Sequence, residues 1–227
     1  MEGTRSAAAA LDAGAAVRLA LTSPRLLTRE DGAGLVDRLA ALDADVRHID
    51  DGRLEDLSDT QAPQGILLVC EEPHATLDQL NVGLWLVLDA IQDPGNAGTL
   101  VRAAAAFGAD GVVALDGTVD PWSPKAVRAS AGLVYRVPVV RATLPEFIAH
   151  ATQAVVEVLV ADAGGEDVGG LERKGALALV LGNEGAGIRA QLADAAGRTV
   201  AVPMRGPVES LNVGVAGSIL LYALSLE

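Results

Sequence analysis

From Leu84 to Val202 the chain repeats one pattern, in which a short and uninterrupted apolar segment is followed by a stretch with the composition of a helix. We predict strands at Leu84–Leu88, Val112–Leu115, Val137–Val140, Val155–Ala161, Leu177–Leu181 and Thr199–Val202. Continuous apolar strands separated by helices indicate a parallel sheet covered on both faces. Ligands bind such sheets outside the carboxyl ends of the strands. Functional residues are therefore expected in the loops that follow Leu88, Leu181 and Val202.

The first part of the chain shows a shorter alternation of the same kind. Helices are predicted near Ser6–Ala13, Gly34–Leu42 and Leu54–Leu57, and strands at Val17–Leu21, Val46–Ile49 and Ile66–Val69. The following segment, Glu71–Val82, contains Pro73 and little apolar periodicity, which is typical of a linker. We therefore predict two domains, a small α/β domain over residues 1–79 and a larger α/β domain over residues 80–227.

Composition excludes several classes of protein. Half of the 227 residues are hydrophobic, which is enough for a real core. No segment reaches the roughly 18 apolar residues of a membrane span, and no basic start with an apolar run opens the chain, so a cytoplasmic protein is predicted. The single cysteine, Cys70, follows an apolar run and reads as a buried structural thiol. His48, His74 and His150 have no metal-ligand spacing, so no metal is predicted.

The net charge of −13 argues against indiscriminate binding to a polyanion, because affinity for nucleic acid comes largely from basic side chains that neutralise phosphates. Only two of the 17 basic residues are lysine. Arginine suits sites where a planar fork grips phosphate or stacks on a base. Local basic patches within an acidic protein remain compatible with this composition.

The first chemistry-bearing segment is Leu88–Ala103, with the sequence LDAIQDPGNAGTLVRA. A Pro-Gly turn leads into a predicted helix over Asn96–Phe107, with Asn96 at its N-cap, and both capping and a chemical role remain open for Asn96. Arg102 is the only charge in this helix, and its helical neighbours are small, which leaves room for a phosphate or another chain. Those neighbours are Gly98, Thr99, Ala105 and Ala106. A solvated surface arginine is the alternative.

The second segment is Leu179–Ile188, LVLGNEGAGI. Its glycine order differs from that of the dinucleotide fingerprint, and no strand with an acidic residue follows at the required distance, which excludes a Rossmann dehydrogenase. Three glycines after a buried strand indicate a backbone that passes close to something, either a ligand or the chain itself in a tight turn.

The third segment is Val200–Val213, VAVPMRGPVESLNV. A strand ends at Pro203, and a loop then leads to a terminal helix at Val213–Leu226, which opens with Ser210 as a residue of N-cap type. Capping is an alternative to a chemical role for Ser210 and Asn212. Capping and turns explain each segment alone, but not the placement of all three at the ends of strands.

In this order, the patterns D-P-x-N-x-G-x-x-x-R, L-G-N-E-G-x-G and P-M-x-G-x-x-x-S-L-N-V resemble the three signature motifs of the SpoU branch of the SPOUT methyltransferases. The match spans about residues 84–227. The front part, from Glu2-Gly3-Thr4-Arg5 to Pro63-Gln64-Gly65, is similar to the small substrate-binding domain of the family. Relatives usually carry further residues before this Glu-Gly, so a truncated or late-starting chain is an expectation.

The resemblance implies an α/β fold with a deep trefoil knot, formed where the third motif threads under the second, and a homodimer that pairs through this domain. Helix Val213–Leu226 is the candidate interface. It also implies that S-adenosylmethionine binds bent in the knot, with its adenine held by main-chain groups and apolar side chains. The cofactor residues so implied are Leu181, Gly182, Asn183, Gly187, Val202, Met204 and Leu211.

The implied reaction is methyl transfer to an RNA ribose 2'-hydroxyl, with Arg102 as the central catalytic residue and Asn96, Glu184, Ser210 and Asn212 around it. A guanidinium with a pKa above about 12 makes a poor general base. Our hypothesis is that Arg102 grips the adjoining phosphate and stabilises the developing alkoxide, while Asn96, Ser210 and Asn212 orient the hydroxyl.

The separate small domain favours 23S ribosomal RNA as the substrate. Transfer RNA is the alternative substrate, and a knotted protein that binds RNA or cofactor without catalysis is the alternative class. The intact set of Asn96, Arg102, Glu184, Ser210 and Asn212 argues against loss of catalysis.

Overall fold

Two separate sheets organise the chain. The computed structural model describes residues 1–42, 44–169, 171, 175–207 and 210–226. Within them, one sheet has three strands and another has six. No helix in this described part is long and apolar enough to cross a membrane.

The three-stranded sheet and its helices form what we call the front unit. Its elements are α1 (Thr4–Asp12), β1 (Val17–Thr22), α2 (Gly32–Ala40), β2 (Asp45–His48), α3 (Asp51–Asp56) and β3 (Ile66–Cys70). Strand β1 pairs in parallel with β2 and antiparallel with β3. Its small apolar core draws on α1, α2, β1 and β3, so one face of the sheet is covered.

The six-stranded sheet and its helices form the large unit. Its elements are β4 (Leu84–Leu88), α4 (Pro94–Ala106), β5 (Gly111–Leu115), α5 (Pro124–Ala129), β6 (Val139–Ala142), α6 (Leu144–Gln153), β7 (Glu157–Asp167), β8 (Leu177–Leu181), α7 (Ala190–Ala195), β9 (Arg198–Ala201) and α8 (Val213–Ser225). Its strand order is β6-β5-β4-β8-β7-β9, and all neighbouring strands in it are parallel. Every residue of β4, β5 and β8 is buried. Apolar clusters cover both faces, which confirms the predicted fold class.

Two helices have other N-caps than the sequence predicted, although α8 begins at the predicted Val213. Helix α4 begins at Pro94, and its N-cap is Asp93, whose carboxylate accepts a hydrogen bond from the Asn96 backbone N–H. Proline at the first helical position lacks only an N–H that would have no partner there. Helix α8 is capped by Asn212 and not by Ser210. The capping explanations of Asn96 and Ser210 are therefore wrong.

The predicted linker is partly built into the large unit. A 3-10 helix at Leu77–Gln79 is capped by Thr76, and Leu80 is fully buried in the large unit's core. His150 of α6 contacts the Leu80 carbonyl at 3.2 Å. The other differences are small, since β6 lies two residues later than predicted and β7 extends to Asp167.

Candidate active site

The loop after β8 is a closed turn built by one asparagine. The backbones of Asn183 and Gly187 exchange hydrogen bonds of 2.9 and 3.0 Å. The Asn183 side chain accepts from the N–H groups of Gly185 and Ala186 and donates to the Ala90 carbonyl after β4. A Cβ at Gly182 would lie 2.6 Å from the Gly187 carbonyl, so only glycine fits there. The glycines of this loop serve its closure.

A buried ion pair fixes the far end of the same loop. Asp89, at the end of β4, is fully buried and accepts from both the backbone N–H and the Nε of Arg189. The Arg189 Nη1 donates to Asp116 at the end of β5, at 2.8 Å. The Leu144 backbone N–H and Arg189 together hold the pKa of Asp116 below its usual value. The loop is thus tied to the ends of two neighbouring strands.

A cavity of about 500 Å³, here called the motif cavity, opens at the carboxyl ends of β8 and β9 and beside the middle of β7. All seven residues predicted for the cofactor line it, and so do three of the predicted catalytic residues. The latter are Glu184, Ser210 and Asn212. Asn96 and Arg102 are not among its lining residues.

The sequence reasoning missed one wall of the motif cavity. Residues Ala161, Asp162 and Ala163 lie at a bulge in β7, where the pairing with β9 shifts register between Ala161 and Glu166. A Cβ at Gly165 would lie 2.5 Å from the Val200 backbone. The Gly164-Gly165 pair at the end of an apolar strand was the available signal, because glycine within a strand marks a bulge or a close approach.

Side chains from all three motifs form a directed chain of hydrogen bonds beside the cavity. The Asn96 Nδ2 donates to the Glu184 carboxylate at 2.8 Å, and the Asn212 Nδ2 donates to the Asn96 Oδ1 at 3.0 Å. The Asn212 Oδ1 accepts from the N–H groups of Gly214 and Val215 in the first turn of α8. The carboxylate can only accept and the N–H groups can only donate, so the orientation of both amides is determined.

Arg102 lies apart from this chain. It is exposed on α4 and makes no hydrogen bond or ion pair within the described residues. It lines a second cavity together with residues of the front unit. Its neighbour Gly98 is buried against α5, where an added Cβ would lie 2.4 Å from the Ala126 carbonyl oxygen. The small size of Gly98 therefore serves packing against α5, whereas Thr99, Ala105 and Ala106 are not buried.

Residues 83–222 match the SpoU rRNA Methylase family model, and the chain belongs to this family. Among individual relatives, it is 39% identical over 169 residues to the 23S rRNA (guanosine(2553)-2'-O)-methyltransferase RlmP of Bacillus subtilis, which covers 74% of this chain and 67% of RlmP. Its structure is similar to that of the SpoU methyltransferase AviRb from Streptomyces viridochromogenes in complex with the cofactor AdoMet. The TM-score is 0.85 at 27% identity, over 100% of this chain and 88% of AviRb.

An AdoMet-bound rRNA methyltransferase from Sinorhizobium meliloti gives the same TM-score of 0.85. It is 28% identical and covers 99% of this chain and 85% of its own. Both structural matches extend over the front unit as well as the large unit, although the family model begins at residue 83. The resemblance read from the three motifs is confirmed.

Proposed function

We propose that this chain is an S-adenosylmethionine-dependent RNA methyltransferase that methylates a ribose 2'-hydroxyl in 23S ribosomal RNA. The observation that carries this proposal is the meeting of three separate motif loops around one cavity, with Asn96, Glu184 and Asn212 hydrogen-bonded beside it. The activity in the name of RlmP supports the ribosomal substrate. Such a substrate also implies action in the cytoplasm.

The motif cavity fits S-adenosylmethionine in size and chemistry. Its volume of about 500 Å³ lies within the range of about 300 to 1,000 Å³ that small-molecule sites occupy. Leu181, Val202 and Leu211 supply apolar surface for an adenine ring, and the Gly182 and Gly187 backbone lies open at the cavity wall. When bound, this cofactor supplies an electrophilic methyl group.

We assign two different tasks to the predicted catalytic residues. Asn96 and Asn212, held by Glu184 and by the first turn of α8, orient the ribose hydroxyl, with Ser210 exposed at the cavity beside them. Arg102 has no acidic partner in the described residues, which leaves its guanidinium free to hold the phosphate next to that ribose and to stabilise the developing alkoxide.

Helix α8 supports the proposal of a homodimer. Four of its large apolar side chains are exposed, and their spacing places them on one side of the helix. They are Val215, Ile219, Tyr222 and Leu226. A second copy of the chain packing on this stripe would bury it.

We further propose the division into a substrate-binding domain over residues 1–79 and a catalytic domain over 80–227, and a trefoil knot in which the third motif passes under the second.

Transfer of labelled methyl groups from S-adenosylmethionine to 23S RNA, 16S RNA and transfer RNA tests the function, and nuclease mapping then identifies the nucleotide and its 2'-O-methyl group. We expect incorporation into 23S RNA only. Arg102→Ala is expected to lose turnover. Near wild-type turnover of Arg102→Lys would contradict a bidentate grip on phosphate.

Incorporation into transfer RNA alone would support the alternative substrate. Cofactor binding without transfer to any RNA would support the alternative of a non-catalytic knotted protein. Calorimetry with S-adenosylmethionine provides that second measurement, and Arg102 lies outside the motif cavity, so Arg102→Ala is expected to keep wild-type cofactor affinity.

A further inference from the structure

A second cavity, of about 470 Å³, lies between the front unit and helices α4 and α5. We call it the arginine cavity, because four arginines line it, together with one carboxylate, Glu2, and with small and uncharged polar residues. These are Arg5 of α1, Arg29 after the 3-10 helix Pro24–Thr28, Arg102 of α4 and Arg128 of α5. Both units therefore contribute positive charge to one space.

The charge in this cavity is largely uncompensated, unlike that of most other arginines in the protein. Seven arginines elsewhere form ion pairs with aspartate or glutamate at no more than 3 Å: Arg18, Arg25, Arg38, Arg47, Arg141, Arg189 and Arg198. Arg5, Arg29 and Arg102 form no ion pair with any residue that the structure describes. In a chain of net charge −13, three free guanidinium groups at one cavity make a local site for an anion.

Arg128 also lines the cavity, and one of its guanidinium nitrogens has no hydrogen-bond partner among the residues the structure describes. Its Nη1 lies 3.9 Å from the Glu2 carboxylate and 3.6 Å from that of Asp59. This Nη1 is buried and has no hydrogen-bond partner in the described part of the chain. Glu2 is engaged by the Asp59 backbone N–H and by Thr60. Arg128 therefore has donor capacity that the described residues do not satisfy, while these two carboxylates offset part of its charge.

We propose that the arginine cavity binds the phosphodiester backbone of the RNA, beside the ribose that is methylated. This inference rests on the proposed function. Four guanidinium groups from four separate chain segments suit a row of phosphates better than a single one. Arg102 and Asn96 share α4 and are six residues apart, or about 9 Å along the helix axis. Phosphates in the cavity would thus lie within about two turns of α4 from the amides assigned to orient the hydroxyl.

The direction of the RNA is limited by acidic residues. Glu30 and Asp31 line an adjoining cavity that also includes Arg5 and Arg29. Two carboxylates there repel phosphate, so the backbone is expected to run from Arg29 towards Arg102 and not across the adjoining cavity.

The double variant Arg5→Ala/Arg29→Ala tests the assignment, because neither residue belongs to the proposed catalytic set. The RNA probe is the 23S RNA transcript that accepts the methyl group or, if none does, a fluorescently labelled oligouridylate. We expect the Kd for RNA to rise about tenfold or more, and the slope of log K against log salt to fall by about 1.4, which is 0.7 for each lost phosphate contact with a single strand. The Kd for S-adenosylmethionine should stay unchanged.

The matched control is Arg47→Ala/Arg53→Ala. Both residues are exposed on the front unit and neither lines the arginine cavity, while the change in net charge is the same. This control should change RNA affinity by less than about twofold, because distant exposed charges are screened by salt. Arg5→Lys/Arg29→Lys should keep the salt slope of the wild type, which checks that lost charge and not misfolding weakens binding.

Equal RNA affinity for the two alanine double variants would overturn the inference. A second result would also overturn it. If inorganic phosphate alone shifts the NMR resonances of the Arg Nε–Hε groups in the cavity as far as RNA does, the ligand is a small anion. Binding is measured without methyl transfer. If the wild-type protein transfers no methyl group, but Arg5→Ala/Arg29→Ala weakens RNA binding, only the proposed function is contradicted.

Discussion

Asn96 lies between a carboxylate and a second amide, and its own amide must donate to the first and accept from the second. In Asn96→Asp the donor is lost and a second carboxylate stands within hydrogen-bond distance of Glu184, where like charges repel. We expect kcat to fall by about 100-fold or more, as for loss of a positioned polar group in an active site. Single-turnover methyl transfer measures this effect.

The control for this prediction is built into the same hydrogen bond. Combining Asn96→Asp with Glu184→Gln restores a donor and an acceptor with their positions exchanged, so part of the lost kcat should return. Asn96 does not line the motif cavity, and calorimetry should give a wild-type Kd for S-adenosylmethionine in Asn96→Asp. If the double variant is folded but recovers no kcat, the hydrogen bond between the side chains at positions 96 and 184 does not determine turnover.

Arg189 is the only cation paired with the fully buried Asp89 in the described residues. Arg189→Ala leaves that carboxylate with one backbone N–H, and breaking a buried ion pair costs about 3 to 5 kcal/mol. We expect a loss in the free energy of unfolding near the lower value, because Arg189 itself is partly exposed. Urea denaturation tests this, and Arg38→Ala, which removes an exposed pair with Asp12, should cost less than about 1 kcal/mol.

The loss of stability in Arg189→Ala should also depend on pH, through Asp116. Its folded-state pKa is lowered, so Asp116 stabilises the fold above its unfolded pKa of about 3.9, and this contribution disappears as the pH falls through the folded value. Arg189 is the second cause of the lowering, after the Leu144 N–H. The difference in stability between wild type and Arg189→Ala should therefore be largest near neutral pH and narrow below about pH 4.

Among the elements, the interior strands were predictable and the N-caps of α4 and α8 were not. Strands β4 and β8 have the predicted bounds, because turns on both sides of a continuous apolar segment fix where the strand begins and ends. Asp93 and Asn96 are both good capping residues, and composition alone does not choose between them. Pro94 directly after Asp93 favours the earlier start. Asn212, and not Ser210, is the N-cap of α8, because its side-chain oxygen accepts from two backbone N–H groups of that helix.

The exposed stripe of α8 carries the prediction about assembly. Ile219→Arg places a charge among Val215, Tyr222 and Leu226, where a partner helix would have to desolvate it. We expect the dimer to dissociate to monomer in sedimentation equilibrium. Leu57→Arg is the control, since Leu57 is exposed to a similar extent on the front unit. A wild-type protein that sediments as a monomer would contradict the dimer, and an Ile219→Arg dimer would place the interface elsewhere.

For the whole molecule, net charge was the most misleading quantity in the sequence. A value of −13 argues against nucleic-acid binding, but it sums over charges that the fold sorts into different places. Seven arginines of the described residues are in close ion pairs, whereas Arg5, Arg29 and Arg102 come together only when the front unit packs beside α4. Apart from the wall at residues 161–163, the motif cavity was predictable because its candidate residues follow recognisable strands. The arginine cavity was not, since it depends on how two units pack.

The packing of these units depends on Gly132, which offers a test at this scale. Gly132 has φ of +81°, and a Cβ there would lie 2.5 Å from the Ser6 carbonyl oxygen of α1. Gly108 has φ of +70° and nothing within 4 Å of its added Cβ. Both glycine-to-alanine changes carry a left-handed backbone strain of about 1 kcal/mol, but only Gly132→Ala pushes against the front unit.

We therefore expect Gly108→Ala to lower the free energy of unfolding slightly and to leave the KM for RNA unchanged. Gly132→Ala should lower stability further and raise the KM for RNA several-fold, because displacing α1 moves Arg5 away from Arg102, while the Kd for S-adenosylmethionine stays the same. Steady-state methyl transfer and calorimetry on both variants measure these effects. If the KM for RNA were equal in the two variants, alignment of the units would not control RNA binding, and each unit would have to bind RNA independently.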